Sequence, residues 1–424
     1  MRVLIIGSGG REHALCIFIN KSPICNKLFC IPGSDSIQEI ADCFKIDPMN
    51  NADIVNFCKE HKIDFVVVGP ELPLSNGIVD KLCEEKITVF GPNKASSQLE
   101  SSKIFMKNIC KNHNVPTAKY SFFDNEKKAL DFLDTVDFPT VIKADGLAAG
   151  KGVIIAKNKN AAVETIKNIM SKRIFGASGE NIIIEEFLEG EEISFFALVD
   201  TNGFILPLTT AQDHKKIGEG DTGLNTGGMG AYSPVPFIKQ NQINDFVIKF
   251  VKPVINELKH NNIFFSGVFY AGLILTKYGP KLLEINVRFG DPEAQAVLPR
   301  LKADLLDLLL ASSKGKLDQL KSPEWDNNFC INVVMASKGY PESYKKNTII
   351  SGLNKITVNK SQYIFHSSTK KNEDHWLATG GRVLSISALG STLKEARNKA
   401  YNVINEIDWK SGYYRNDIGW KHLT

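Results

Sequence analysis

A chain of 424 residues is more than one hydrophobic core supports and divides into about two to four domains. Its apolar share of 43% and charged share of 23% are those of an ordinary soluble globular protein. A net charge of +4, with lysines scattered among acids, argues against a nucleic-acid surface, and no apolar run suits a signal peptide or membrane span. A cytoplasmic protein acting on small anions fits these bounds.

Val3–Ile6 is a continuous apolar run, the pattern of a strand covered on both faces, and a helical pattern follows from Arg11 to Asn20. Between them Gly7-Ser8-Gly9-Gly10 is either a phosphate-cradling turn at a helix start or simply a tight turn. It departs from the dinucleotide fingerprint, whose third glycine would fall at Glu12. Residues 65–68 and 88–90 are short strands ended by Gly-Pro pairs, so residues 1–101 are predicted to be a doubly wound α/β domain. The cysteines from Cys16 to Cys110 include no CxxC pair and read as small buried hydrophobes in a reducing compartment.

Strands at 140–143, 152–155 and 181–184, with a helical stretch at 161–170, predict a small α+β unit over about 120–188. Strands at 193–199, 267–275 and 281–285 extend this into a larger α+β domain, 102–324 in all. A polar stretch at 314–328 reads as a linker, and residues 325–424 form a further α+β domain.

Lys143 is delivered by a strand into a loop containing Gly146, Gly150, Lys151 and Gly152. Glycines beside lysines suit a lid over polyphosphate, because backbone donors must approach oxygens that leave no room for a Cβ. A plain surface hairpin is the alternative. Glu185, Glu186, Phe187, Leu188 and Glu192 follow an apolar run and read as a nucleotide hinge or as a solvated acidic connection. Asp213 and His214 open a glycine-rich stretch of little apolar content, where His214 reads as an orienting residue rather than a base. Glu284 and Asn286 lie two apart on a strand, so their oxygens share one face, an arrangement suited to Mg²⁺. Arg288 continues that face if the strand holds, and would place a fixed cation beside the metal; a buried salt-bridge cluster is the alternative.

These segments, with Arg288-Phe-Gly-Asp-Pro-Glu293, Asn225-Thr-Gly-Gly-Met-Gly-Ala-Tyr-Ser-Pro234 and Gly380-Gly-Arg-Val-Leu384, resemble the phosphoribosylamine–glycine ligase family of the ATP-grasp superfamily across essentially the whole chain. The resemblance implies ATP clasped between a small lid and a central domain, with a C-terminal domain completing the substrate site. It implies Lys103 and Lys143 on the phosphates, with Gly150, Lys151 and Gly152 in the lid, and Glu185–Leu188 and Glu192 at the hinge. Glu284 and Asn286 correspond to metal ligands for Mg²⁺ or Mn²⁺. Gly9, Gly10, Gly33, Asp213, Arg288, Asp291 and Arg382 correspond to positions serving glycine or 5-phosphoribosylamine, with Arg288, Lys143 and Asp213 in catalysis. One departure stands out: the loop at 32–36 reads Pro-Gly-Ser-Asp-Ser where the family carries Pro-Gly-Asn-x-Gly-Thr. The implied reaction is purine-pathway ligation through glycyl phosphate, by a monomer or weak homodimer with no nucleic-acid or membrane partner. A different ATP-grasp ligase or carboxylase of that pathway is the alternative.

Overall fold

The computed structural model describes residues 1–148 and 152–423. The opening apolar runs form a five-stranded parallel sheet from β1 (Arg2–Gly7), β2 (Lys27–Pro32), β3 (Asp42–Cys43), β4 (Phe65–Val68) and β5 (Thr88–Phe90), in the order β3-β2-β1-β4-β5. Strand order reverses between β1 and β4, which leaves a crevice beyond their carboxyl ends. Gly7 and Gly69 stand there, and a Cβ on either would fall 2.3 Å from the Glu12 side chain. Only glycine lets that carboxylate occupy the crevice.

A small antiparallel sheet follows: β6 (Tyr120–Phe123), β7 (Thr140–Ala144), β8 (Val153–Ala156) and β9 (Ile182–Glu186), ordered β6-β9-β7-β8. It closes on its own core of Leu133, Ile142, Ile166, Ile182 and Ile184. The predicted helix at 161–170 runs Lys159–Ile166 and passes into a π turn, Lys167–Ser171.

Next come β10 (Glu191–Val199), β11 (Ile205–Asp213), the hairpin β12 (Lys216–Gly218) and β13 (Thr222–Asn225), then β14 (Gly230–Ser233), β15 (Gly267–Thr276) and β16 (Gly279–Asn286). Successive side chains on β10 point to opposite faces. Phe195 packs with Phe246, Phe250 and Leu258, while Phe196 packs with Leu306 and Leu309. Each fully buried aromatic contributes roughly 1.5–3 kcal/mol. The same two cores continue onto the N-terminal sheet, where Leu4 and Ile6 join one and Val3 and Ile5 the other.

The last stretch supplies β17 (Phe329–Ser337), β18 (Thr348–Ile350), β19 (Gln362–His366), β20 (Thr369–Asn372), β21 (His375–Ala378), β22 (Arg382–Gly390) and β23 (Gly412–Tyr413). It does not build a wholly separate sheet. β14 pairs with β17, so one sheet runs β16-β15-β10-β11-β14-β17-β22-β19 through both regions. The helix Leu393–Asn405 covers β17 and β22 with Ala396, Ala400 and Val403. No helix among the described residues is long and apolar enough to cross a membrane.

Candidate active site

The small sheet, the end of β16 and the glycine-rich stretch after β11 enclose one cavity of about 630 Å³. Lys143, Gly152, Glu185, Glu186, Phe187, Leu188 and Glu192 line it from the lid and hinge, and Lys103 from the helix Lys103–Asn112. Glu284, Asn286, Arg288, Asp213, Asp291 and Arg382 line it from the other side. Sequence thus placed fourteen candidate residues on one surface. Gly9, Gly10 and Gly33 lie outside that lining, and Gly150 and Lys151 lie outside the described residues.

Glu185 was expected to meet a nucleotide. It lines the cavity, and its carboxylate sits between two ammonium groups, Lys143 Nζ at 2.8 Å and Lys107 Nζ at 2.9 Å, with its side chain 2% exposed. Burial alone would raise its pKa, but the two lysines hold it below the usual carboxylate range. Lys143 Nζ also donates to the Leu283 carbonyl at 3.3 Å. That contact brings the lid strand directly onto the strand bearing Glu284. Lys103 Nζ donates to the Gly146 carbonyl at 2.9 Å; burial lowers its pKa, and the Glu284 carboxylate opposes this.

At the hinge, Glu186 pairs with Lys281 at 2.9 Å and accepts the Lys119 N–H at 2.9 Å. Glu192 pairs with Lys215 at 2.6 Å, and Glu191 with His422 at 3.2 Å. Apolar Met106, Val141, Ile155, Phe187, Leu188 and Leu283 share this end of the cavity and suit a flat base.

β16 carries a register shift opposite Gly272 and Leu273, after which Glu284 faces Gly272 and Asn286 faces Tyr270. Their side chains lie together, Asn286 Nδ2 to Glu284 Oε1 being 3.4 Å. Lys215 and Lys143 hold the Glu284 carboxyl low against the effect of burial, so it stays ionised. Among the described residues no three His, Cys, Asp or Glu side chains cluster to hold a metal alone. A carboxylate beside an amide oxygen fits a hard divalent cation that completes its shell with phosphate and water.

Arg288 departs from its expected form. β16 ends at Asn286, yet the guanidinium still reaches back, Nη2 donating to Asn286 Oδ1 at 3.2 Å. It is not an unpaired cation: Nη2 donates to Glu100 at 2.7 Å and Nε to Glu71 at 3.2 Å. Burial works against its charge, but Glu100 and Glu71 raise its pKa. Both carboxylates escaped the sequence reading, since they join Arg288 across 188 and 217 residues.

Asp213 Oδ1 is buried without a hydrogen-bond partner among the described residues. Burial and then the nearby Glu293 carboxylate raise its pKa. Gly228, at φ +109°, presses against it; a Cβ there would lie 2.3 Å from Pro292 and 2.7 Å from Asp213 Oδ1. Tyr270 donates to Glu293 at 2.6 Å. Arg382 Nη1 donates to the carbonyls of Gly227 and Asp291 at 2.6 and 2.7 Å and lies 3.3 Å from the Asp291 carboxylate. His214 is buried and neutral, its pKa lowered to about 4 chiefly by burial and Arg415, and its Nε2 accepts the Gly419 N–H at 3.1 Å.

At the N-terminal turn, Glu12 accepts from the Gly9 N–H at 2.7 Å and from Arg11 Nε at 2.6 Å. A Cβ on Gly10 would lie 2.6 Å from both Gln295 Nε2 and Ser367 Oγ, so this turn is where the three regions meet. Gly33, at φ +67°, packs against Cys43, and Asp35 accepts the Lys371 N–H at 2.7 Å from β20.

Three family models match in order: Phosphoribosylglycinamide synthetase N domain over residues 1–100, its ATP-grasp (A) domain over 101–294 and its C domain over 330–421. A phosphoribosylamine–glycine ligase of Rhizobium meliloti is 45% identical over 424 residues, covering all of this chain and 99% of the relative. The chloroplastic phosphoribosylamine–glycine ligase of Arabidopsis thaliana is 45% identical over 97% of this chain and 79% of its own. The crystal structure of the Thermotoga maritima phosphoribosylamine–glycine ligase superposes with a TM-score of 0.84 at 29% identity, covering 98% of this chain and 100% of that one. A biotin carboxylase from Campylobacter jejuni, at 14% identity and TM-score 0.76, shares the fold. The chain belongs to the phosphoribosylglycinamide synthetase family of ATP-grasp ligases.

Proposed function

We propose that the chain joins glycine to 5-phosphoribosylamine, converting ATP to ADP and phosphate and yielding glycinamide ribonucleotide for purine synthesis. The observation that carries this reading is a cavity lined both by Lys103 and Lys143 and by the Glu284–Asn286 pair. Glycine's carboxylate attacks the γ-phosphorus to give glycyl phosphate, and the amine then displaces phosphate at the acyl carbon. Such chemistry asks the protein to position groups and offset charge, so no nucleophilic side chain is needed.

Lys143 and Lys103 hold phosphate oxygens, the apolar hinge holds the base, and Glu192 faces the ribose. Arg382, Asp291, Asp213 and the Gly9–Gly10 turn serve the glycine and amine ends, and the Gly33 loop the phosphoribosyl end. Arg288, neutralised by Glu71 and Glu100, fixes the substrate side of the metal pair more than it supplies net charge. Mg²⁺ or Mn²⁺ on Glu284 and Asn286 would neutralise phosphate charge. The protein works in the cytoplasm as a monomer or weak homodimer. The test is ADP release with glycine and phosphoribosylamine, against bicarbonate in place of glycine. Glycine-dependent release with equimolar product is expected. Release driven by bicarbonate would favour the carboxylase alternative, and release indifferent to glycine would overturn the proposal.

A further inference from the structure

The helix Lys103–Asn112 carries two caps at its start. Ser102 accepts the Phe105 N–H at 3.1 Å in the usual way. The second cap comes from the lid: Asp145, the residue after β7, accepts the Ile104 N–H at 3.1 Å and the Ser102 hydroxyl at 3.2 Å. A carboxylate there also meets the positive end of the helix dipole. The backbone N–H of Asp145 is held by the Asn181 carbonyl at 3.0 Å, just before the neighbouring strand β9. The next residue, Gly146, offers its carbonyl to Lys103 Nζ and has φ +145°. A Cβ on it would come 2.4 Å from Ser178 Oγ, so the backbone has no slack. One turn along the same helix, Lys107 meets Glu185 of β9 at 2.9 Å. Asp145 and Glu185 thus tie the small sheet to this helix, as Lys143 and Glu186 tie it to β16.

We infer that Asp145 is the positioning residue that fixes the root of the lid over the phosphate end of the cavity, and so sets how well the acyl phosphate is kept from water. The inference rests on the glycyl phosphate reading above. When the root shifts, water's oxygen bonds to the glycyl carbonyl carbon, the carbon–oxygen bond to phosphate breaks, and glycine and inorganic phosphate leave. ATP is then spent with no ligation. Misplacements on the order of 1 Å lower catalysis by about a hundredfold where alignment is the main catalytic term.

The experiment measures ADP and ligated product together in wild type, D145A, D145N and S102A, with the melting temperature of each. Wild type gives one ADP per product; failure of that control counts against the proposed reaction, not against Asp145. D145A is expected to release several ADP per product, with product turnover down about tenfold to a hundredfold. D145N keeps an acceptor for Ile104 and Ser102 and is expected to restore a ratio near one. S102A, which removes one of the two donors from the opposite side, should fall between them. A merely structural Asp145 would lower the melting temperature and the active fraction without changing the ratio. A ratio of one in D145A and S102A, or equal uncoupling in D145A and D145N, overturns the assignment. Where D145A is too unstable to assay, S102A decides alone.

Discussion

Glu284, half-buried, and Glu185, buried, are both carboxylates near lysines, yet they carry different burdens. Glu284 has an oxygen facing the cavity and only a long contact to Asn286, so it is open to a cation. Glu284→Ala should lower turnover at least about a hundredfold, the scale expected when a metal ligand is lost. The melting temperature should stay within a few degrees, and near-normal turnover would contradict the metal assignment. Glu185 is ion-paired on both oxygens, with Lys107 and Lys143. Glu185→Gln leaves Lys107, 0% exposed, without its counter-charge, and should destabilise the protein by about 3–5 kcal/mol. Adding Lys107→Met removes the stranded charge and should recover much of that loss in urea unfolding. Purely additive losses would mean the pair is not coupled.

Strands and their pairing decide how such residues meet. The i, i+2 spacing of Glu284 and Asn286 could be read directly, because alternation is a property of any strand. The bulge that fixes their height could not, because it depends on Gly272 in the neighbouring strand. A Cβ on Gly272 would stand 2.9 Å from Glu284 Cγ. Gly272→Ala should therefore tilt the ligand pair and raise the metal concentration for half-maximal activity by about tenfold, with a smaller change at saturating metal. Titration of activity with Mg²⁺ checks it, and an unchanged midpoint would show that the strand tolerates the methyl group. Glu185 shows the complementary blindness. The run Glu185-Glu186 read as a hinge or as a solvated connection without separating the two residues, but the last strand positions turn Glu185 inward and leave Glu186 half-buried. Charge runs carry no sign of burial; only the partner helix supplies it. Arg288 was legible as a site residue and illegible as a paired one, since Glu71 and Glu100 reach it through tertiary folding alone.

At the scale of the whole molecule, the N-terminal and C-terminal regions close on each other through two imidazoles. The backbone N–H of His366 donates to His13 Nδ1 at 2.9 Å, which requires an unprotonated nitrogen on His13, and the two rings meet edge to face. Burial, then His366, lowers the pKa of His13 to about 3, and burial lowers that of His366 to about 4. In the unfolded chain both titrate near 6.5. Between these values the unfolded chain binds more protons than the native one, so stability falls as pH drops from about 6.5 toward 4. Each histidine contributes a slope of up to about 1.4 kcal/mol per pH unit, and neither contributes one above pH 7. Asp213 works in the opposite sense, because a carboxyl with a raised native pKa favours the fold at low pH. Glu100, also raised by burial, acts in the same sense, while His214, lowered to about 4, adds to the acid loss of His13 and His366. Urea unfolding of His13→Gln beside wild type at pH 7.5 and pH 5 separates these terms. The variant should be the less stable at pH 7.5, where it has lost packing against Phe365 and His366. The gap should narrow by about 1–2 kcal/mol at pH 5, where wild type alone must keep His13 neutral. Parallel loss in both proteins would mean that the contact between the two regions tolerates a charged imidazole, and that acid sensitivity arises elsewhere in the fold.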